Sequence, residues 1–210
     1  MTTAPNAAMA PPENLIETLL QARRIVVFTG AGMSAESGIA TFRNTSGNQP
    51  DSLWAQFNPQ ELASPDGWRS NKQRVWAWYE GRRGEVIKTQ PHAGHLAIAQ
   101  LADTLQSVHG QAVHVDVVTQ NVDNLHERAG STHVTHLHGS LFAPRCAACA
   151  RPGAFAPGEP DASLMHLEPP RCLHCGGYIR PGVVWFGEAM PQEPWRHAED
   201  AVDACHAMLV

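Results

Sequence analysis

Four of the five cysteines fall in two Cys-x-x-Cys pairs, Cys146/Cys149 and Cys172/Cys175, with 22 residues between the pairs. Two such knuckles present four thiolates tetrahedrally to zinc, and a closed four-sulfur shell leaves no position for water or substrate. One structural Zn2+ per chain is expected. The competing reading is a pair of redox-active or disulfide-bonded motifs, which a reducing compartment disfavours. Cys205, the odd cysteine, lies on the apolar side of a helical stretch and reads as a buried free thiol.

Gly30-x-Gly32-x-x-Ala35 follows the apolar run 25–28. The spacing fits the turn that seats a dinucleotide pyrophosphate, where glycines let backbone amides approach phosphate at the start of a helix. Ser34 reads as the N-cap of that helix. A strand-to-helix turn made only for packing would look the same. A nicotinamide dehydrogenase also needs an acid about 20 residues on to hold the ribose. The acid near that distance is Asp51, inside a polar, irregular stretch. Phe42 and Arg43, which open that stretch, offer an aromatic face and a guanidinium suited to covering a nucleotide and pairing with its phosphates.

A second strand end delivers Gln120, Asn121 and Asp123, whose amides and carboxylate suit ribose hydroxyls and a carboxamide. An ordinary turn and helix cap would use the same residue types. His138 follows a third short strand; as one of 12 histidines it is unremarkable by type. At a strand-end turn its imidazole, with a pKa near 6.5, suits a general base.

These groups need a parallel sheet to bring them together. Residues 13–24 carry apolar positions at helical spacing, and 25–30 read as a strand ending in a glycine turn. Residues 41–65 are polar and irregular. Residues 66–88 read as one helix with Trp68, Val75, Trp76 and Trp78 on its apolar side, and 91–105 as another with Pro91 at its start. Residues 113–120 are a strand, 121–130 a short helix closed by Gly130, and 133–140 and 141–146 short strands. Residues 178–188 return to strand, 192–205 are helical, and 206–210 begin another strand. Alternating strands and helices argue for an α/β fold whose parallel sheet is covered on both faces.

Composition sets the outer limits. Hydrophobic residues make up 43% and charged residues 17%, ordinary for a globular chain able to bury a core. A net charge of −5, from 15 Lys+Arg against 20 Asp+Glu, gives no basic footprint for nucleic acid. Nothing approaches the roughly 18 apolar residues of a membrane span, and the first 12 residues read as a disordered tail rather than a signal peptide. A cytoplasmic monomer is the expectation.

Taken in order, "GAGMSAESGIATFR", "TQNVDNLHERAGS", "HLHGS", the four-cysteine insert and "RPGVVWFGE" resemble the sirtuins, a family of NAD-dependent protein lysine deacylases. The resemblance runs from about Glu13 onward. It implies a Rossmann-like domain (13–40, 89–143 and 180–210), a cofactor loop and helical insert (41–88), and a zinc module (144–179), with a cleft between. It implies that Gly30, Ala31, Gly32, Ser34, Phe42, Arg43, Gln120, Asn121 and Asp123 bind NAD, with His138 as the base. Val184, Trp185, Phe186, Gly187 and Glu188 resemble the strand that pairs with an acyl-lysine peptide. The family reaction consumes NAD, releasing nicotinamide, free lysine and 2′-O-acyl-ADP-ribose, with no hydride transfer and no catalytic metal.

Tyr79 and Arg82 are three apart in "VWAWYEGRR" and share a helix face. They resemble the Tyr-x-x-Arg pair of the subgroup that acts on succinyl-, malonyl- or glutaryl-lysine, where a planar guanidinium and a phenol hold the distal carboxylate. A solvated helix face is the other reading of the pair, with neighbouring Arg83 as its sign. Plain deacetylation and ADP-ribosyl transfer are alternatives within the family, and a catalytically inactive zinc-stabilised binding module is one outside it. The chain departs from the family pattern at Ala40, usually a proline. It also stops at 206–210 where relatives run on, so a shortened form of a longer enzyme, with its sheet cut short, is expected.

Overall fold

Residues Arg24–Thr29 form β1, and the successive burial of Ile25, Val26 and Val27 is that of a strand covered on both faces. It is described here from a computed structural model covering residues 12–39, 58–156, 158–161 and 163–210. The expected disordered tail and the irregular stretch containing Phe42 and Arg43 lie outside the described residues, apart from Pro12 and 58–65.

Helix α1 (Glu13–Gln21) precedes β1, and α2 (Ala31–Ala35) follows it directly. After α3 (Pro59–Leu62) come α4 (Pro65–Ser70) and α5 (Lys72–Lys88), two helices where the apolar pattern reads as one. Asn71 makes the break: its backbone leaves the helical region (φ −154°, ψ 85°) and its side chain accepts from the Arg74 amide, capping α5. Helix α6 (Ala93–His109) begins after His92, whose ring accepts from the Gly94 amide; Pro91 sits one position further out. Strand β2 (His114–Thr119), α7 (Leu125–Ala129), β3 (Val134–His136), β4 (Gly139–Cys146), β5 (Ile179–Val183), α8 (Gln192–Ala204) and β6 (Ala207–Leu209) complete the order. Gly130 closes α7 in the left-handed region, as its position predicts.

Strands β3, β2, β1 and β6 lie side by side, all parallel. On one face Ile25 and Val27 pack with Leu105, Val113 and residues of α1 and α6; on the other Val26 and Val118 pack with Leu137 and Ala198 of α8. This is the α/β sheet of Rossmann type that the alternation predicts. Among the described residues no helix is long and apolar enough to cross a membrane.

Strands β4 and β5 make a separate antiparallel pair, on which α5 packs Val75, Trp76, Trp78 and Tyr79. Two glycines set the pair's close approach. Gly139 has a φ of +75°, and a Cβ there would lie 2.1 Å from the Gly182 carbonyl oxygen. A Cβ on Gly182 would meet the Ala143 oxygen at 1.7 Å. The register slips between Ser140 and Arg145 in the same stretch.

Arg83, taken in sequence as the sign of a solvated face, is buried. It forms a two-bonded ion pair with Glu80 (2.9 and 2.7 Å) and lies 3.8 Å over the Phe155 ring. Helix α5 is enclosed around most of its girth, so a charged residue on it is no indicator of solvent.

Candidate active site

Parallel pairing puts Thr29 beside Thr119 at the carboxyl ends of β1 and β2, where ligands bind in open α/β sheets. Their hydroxyls join at 2.8 Å. The Gln120 amide donates to the Thr29 carbonyl and the Asn121 amide to Thr119 Oγ1, so the segment after β2 is folded over the turn after β1.

From there one chain of bonds crosses the sheet end. Asn121 Nδ2 donates to the Gly30 carbonyl (2.9 Å) and to Ser34 Oγ (2.8 Å). Ser34 donates onward to Asp123 Oδ2 (2.7 Å), whose other oxygen accepts the Leu125 amide. Ser34 is therefore not an N-cap. Gly30 occupies that position, in extended backbone, and Ser34 lies buried inside α2. Its hydroxyl is spent on fixing Asn121 and Asp123.

His138 sits in the turn between β3 and β4. Its Nδ1 lies 2.9 Å from the Gln120 carbonyl, which can only accept, so Nδ1 carries a proton and the neutral ring is the tautomer with its lone pair on Nε2. His136, two residues earlier, touches the Asn121 carbonyl through Nδ1 (2.8 Å) and Glu127 through Nε2 (2.7 Å). Both partners are acceptors, which selects the imidazolium. Although burial opposes the charge, the Glu127 and Asn121 bonds raise the His136 pKa.

Beneath the network lie three histidines in edge-on contact that no sequence signal links. His126 Nε2 is 3.0 Å from Thr29 Oγ1; because that hydroxyl already donates to Thr119, His126 donates to it. His95, fully enclosed, lies edge-on between His92 and His126, with ring centroids at 4.4 and 4.8 Å. Burial pushes the His95 pKa down to about 4, helped by its two histidine neighbours, and lowers that of His126.

A cavity of about 500 Å³ opens over this floor. Ala31, Ser34, Gln120, Asn121, Asp123 and His138 line it from the sheet side, Tyr79 and Arg82 from α5, and Val184, Trp185, Phe186, Gly187 and Glu188 from beyond β5. Gly30 and Gly32 are not among its walls. Among the described residues, a Cβ on either would meet nothing within 4 Å. Apolar wall residues such as Ile39, Ala63, Val122 and Leu141 carry no sequence signal beyond their hydrophobicity.

Residues 184–188 are not strand: β5 ends at Val183. Trp185 and Glu188 close a turn (2.9 Å) with Gly187 at φ +84°. The Val184 amide donates to the His138 carbonyl and that of Phe186 to Ala63. Arg180 draws the chain out of the sheet by gripping Glu188 with two bonds, 2.5 and 2.9 Å, under the Trp185 ring. The Trp185 amide also donates to Glu188. Those bonds hold the Glu188 pKa low against burial.

The four cysteines meet at the far end of β4 and β5. Cys146 and Cys175 Sγ are 3.5 Å apart, Cys149 and Cys172 Sγ 3.8 Å, and all four lie within 4.8 Å of one another. None is in a disulfide. A Zn–S bond of about 2.3 Å places tetrahedral sulfurs about 3.8 Å apart, so the quartet fits one zinc. The amides of Cys149 and Ala148 point at Cys146 Sγ and pull its pKa down to about 6, favouring the ligating thiolate.

A sequence model described as "Sir2 family" matches residues 30–210. The chain belongs to the Sir2 family. It is 46% identical over 200 residues to an NAD-dependent protein deacylase of Corynebacterium glutamicum, covering 94% of this chain and 73% of that protein. It is 49% identical over 199 residues to NAD-dependent protein deacylase 1 of Pseudomonas aeruginosa, covering 93% and 74%. Its fold is similar to that of a Sir2 homolog–NAD complex, with a TM-score of 0.76 at 40% identity over 94% of this chain and 70% of that one.

Proposed function

We propose that this Sir2 chain removes acyl groups from protein lysines at the expense of NAD, and that it favours acyl groups ending in a carboxylate. The first half rests on the family and on a site whose residues fit the dinucleotide. No described residue crowds Gly30 or Gly32, which suits a close-lying phosphate backbone, and Ser34, Asn121 and Asp123 form a prearranged polar floor.

In this reading Ala31, Ser34, Gln120, Asn121 and Asp123 hold NAD, together with Phe42 and Arg43. NAD supplies an anomeric carbon made electrophilic by its nicotinamide leaving group. The Gln120 carbonyl keeps His138 in the tautomer whose Nε2 accepts a proton from a ribose hydroxyl. Asn121, anchored to Gly30 and Ser34, is held still while this happens. The turn at 184–188 and the apolar walls exclude water from the acyl-lysine. Zinc, closed in by four thiolates, takes no part in the chemistry.

The acyl preference is carried by one observation: Tyr79 and Arg82 both line the cavity floored by His138 and Asp123. Burial raises the Tyr79 pKa, so the phenol stays protonated and neutral. Burial also lowers the Arg82 pKa, against Glu85 and Tyr79, and a guanidinium keeps its charge through such a shift. A neutral donor beside a cation suits a carboxylate.

Replacing Arg82 by Met tests it. The expected result is a 10- to 100-fold loss of desuccinylation kcat/KM, about the contribution of one charged hydrogen bond, with deacetylation retained. Desuccinylation at the parental rate would reject the acidic-acyl reading. Absence of nicotinamide release from the folded protein given NAD and acyl peptide would leave only a binding role.

A further inference from the structure

Three side chains with metal-ligating atoms come together far from both the cavity and the cysteines. His114 opens β2 and Asp116 lies two residues on, so both project from one face of the strand. Register then adds the third. Val117 pairs with Val134 in the parallel β2–β3 ladder, which places His133 beside Asp116, on the same face. The His133 carbonyl accepts the Val117 amide at 2.8 Å, fixing the segment just before β3.

His114 Nε2 is 2.9 Å from Asp116 Oδ1, and the His114 and His133 ring centroids are 4.4 Å apart at 52°. One ligand atom from each of the three lies within 4.8 Å of the others. His114 and Asp116 side chains are 37% and 22% accessible and His133 is exposed, so an ion has an open approach.

We propose that His114, Asp116 and His133 form a second metal site, taking a divalent transition ion such as Zn2+ at the amino-terminal edge of the sheet. Two imidazoles and one carboxylate are a donor set for such ions, with the remaining coordination positions left to water. Bonds of about 2.0–2.2 Å need donor atoms about 3–3.5 Å apart. The His114–Asp116 edge already meets that, and rotation of the exposed His133 ring closes the rest. The ion takes the place of the proton between His114 and Asp116.

The site clips β2 to the chain entering β3. Strand β3 has only three residues, and the His138 turn hangs from it. An ion at His133 therefore steadies the approach to the cavity from the opposite end of the strands, roughly 16 Å away at about 3.3 Å per residue.

The test is metal stoichiometry on the full chain, with His133→Ala and Asp116→Asn as variants remote from the cavity. After dialysis against micromolar Zn2+ the parent should hold two zinc ions per chain and each variant one, with parental circular dichroism. Cobalt adds a signature. The cysteine quartet gives intense thiolate-to-cobalt charge transfer, whereas a second equivalent bound by imidazole and carboxylate gives only weak d–d bands, lost in His133→Ala. Excess Zn2+ should raise the thermal midpoint of the parent by a few degrees more than that of His133→Ala. One zinc per chain in the parent, or two in both variants, would overturn the proposal.

Discussion

The Trp185 indole donates a hydrogen bond to the Tyr79 hydroxyl at 3.1 Å, joining α5 to the turn beyond β5 across the cavity. An indole N–H can only donate, so it occupies a lone pair of the phenol and leaves the phenolic proton to be given to a ligand. Tyr79→Phe removes that donor and also orphans the buried indole N–H. It is expected to lower desuccinylation about tenfold and to cost about 1–3 kcal/mol of stability, read by urea denaturation. Trp185→Phe in the Tyr79→Phe background removes the orphaned group. It should recover part of the stability and none of the acidic-acyl activity.

Ser34 is the middle member of the Asn121–Ser34–Asp123 chain. Ser34→Ala leaves Asp123 Oδ2 without that donor in a buried setting, an expected cost of about 1–3 kcal/mol in the denaturation midpoint. With Asn121 and Asp123 released, the affinity for NAD by calorimetry should weaken by more than Ser34→Cys weakens it.

The enclosed His95 makes stability depend on acid. Its pKa is near 6.5 unfolded and about 4 folded, so the unfolded chain takes up the proton first as pH falls. Its contribution is complete above pH 6.5 and is lost progressively between 6.5 and about 4, roughly 2 kcal/mol of it between pH 7 and pH 5. His126, also lowered, acts in the same sense. His136 is raised and acts oppositely, its contribution present in acid and lost as pH climbs through the folded pKa. Among the described residues neither ring nitrogen of His95 has a hydrogen-bond partner. His95→Phe should therefore flatten the acid slope in urea titrations at pH 7 and pH 5 without destabilising the protein at pH 7.

Gly177 lies against the metal-binding sulfurs. A Cβ there would stand 2.9 Å from Ala148 Cβ, 3.2 Å from Cys146 Sγ and 3.3 Å from Cys175 Sγ. Gly177→Ala should weaken zinc at least tenfold in competition with a chromogenic chelator. Adding Ala148→Gly, which removes the nearest obstacle, should restore most of it.

What could be read along the chain was whatever depends on neighbours in sequence. Each Cys-x-x-Cys pair, the strand–glycine turn at Gly30 and the two later strand ends are local patterns; the parallel sheet sets the strand ends side by side, and the β4–β5 pair brings the cysteines together. Misreadings occurred where the deciding partner is distant. Ser34 looked like a cap because its real partners, Asn121 and Asp123, are almost ninety residues away. Arg83 looked solvated because Phe155 comes from another part of the chain. The stretch at 184–188 looked extended because nothing local announces the pull of Arg180 on Glu188. His92, which caps α6, His95 within it and His126 in α7 are related by packing.

The paired strands β4 and β5 reach from one centre to the other. Strand β4 leaves His138 through Gly139 and ends on the zinc ligand Cys146, while β5 departs from the cysteine quartet and runs into the cavity wall at Val184. The two strands form a strut whose β5 side spans Ile179–Val183, roughly 13 Å at about 3.3 Å per residue, clamped at one end by four sulfurs. Stripping their ion would loosen the end of the strut that fixes the spacing between His138 and the cavity wall at Val184. Zinc removal by a chelator that never enters the cavity is therefore expected to lower turnover, and restoring zinc to the reduced protein to recover it.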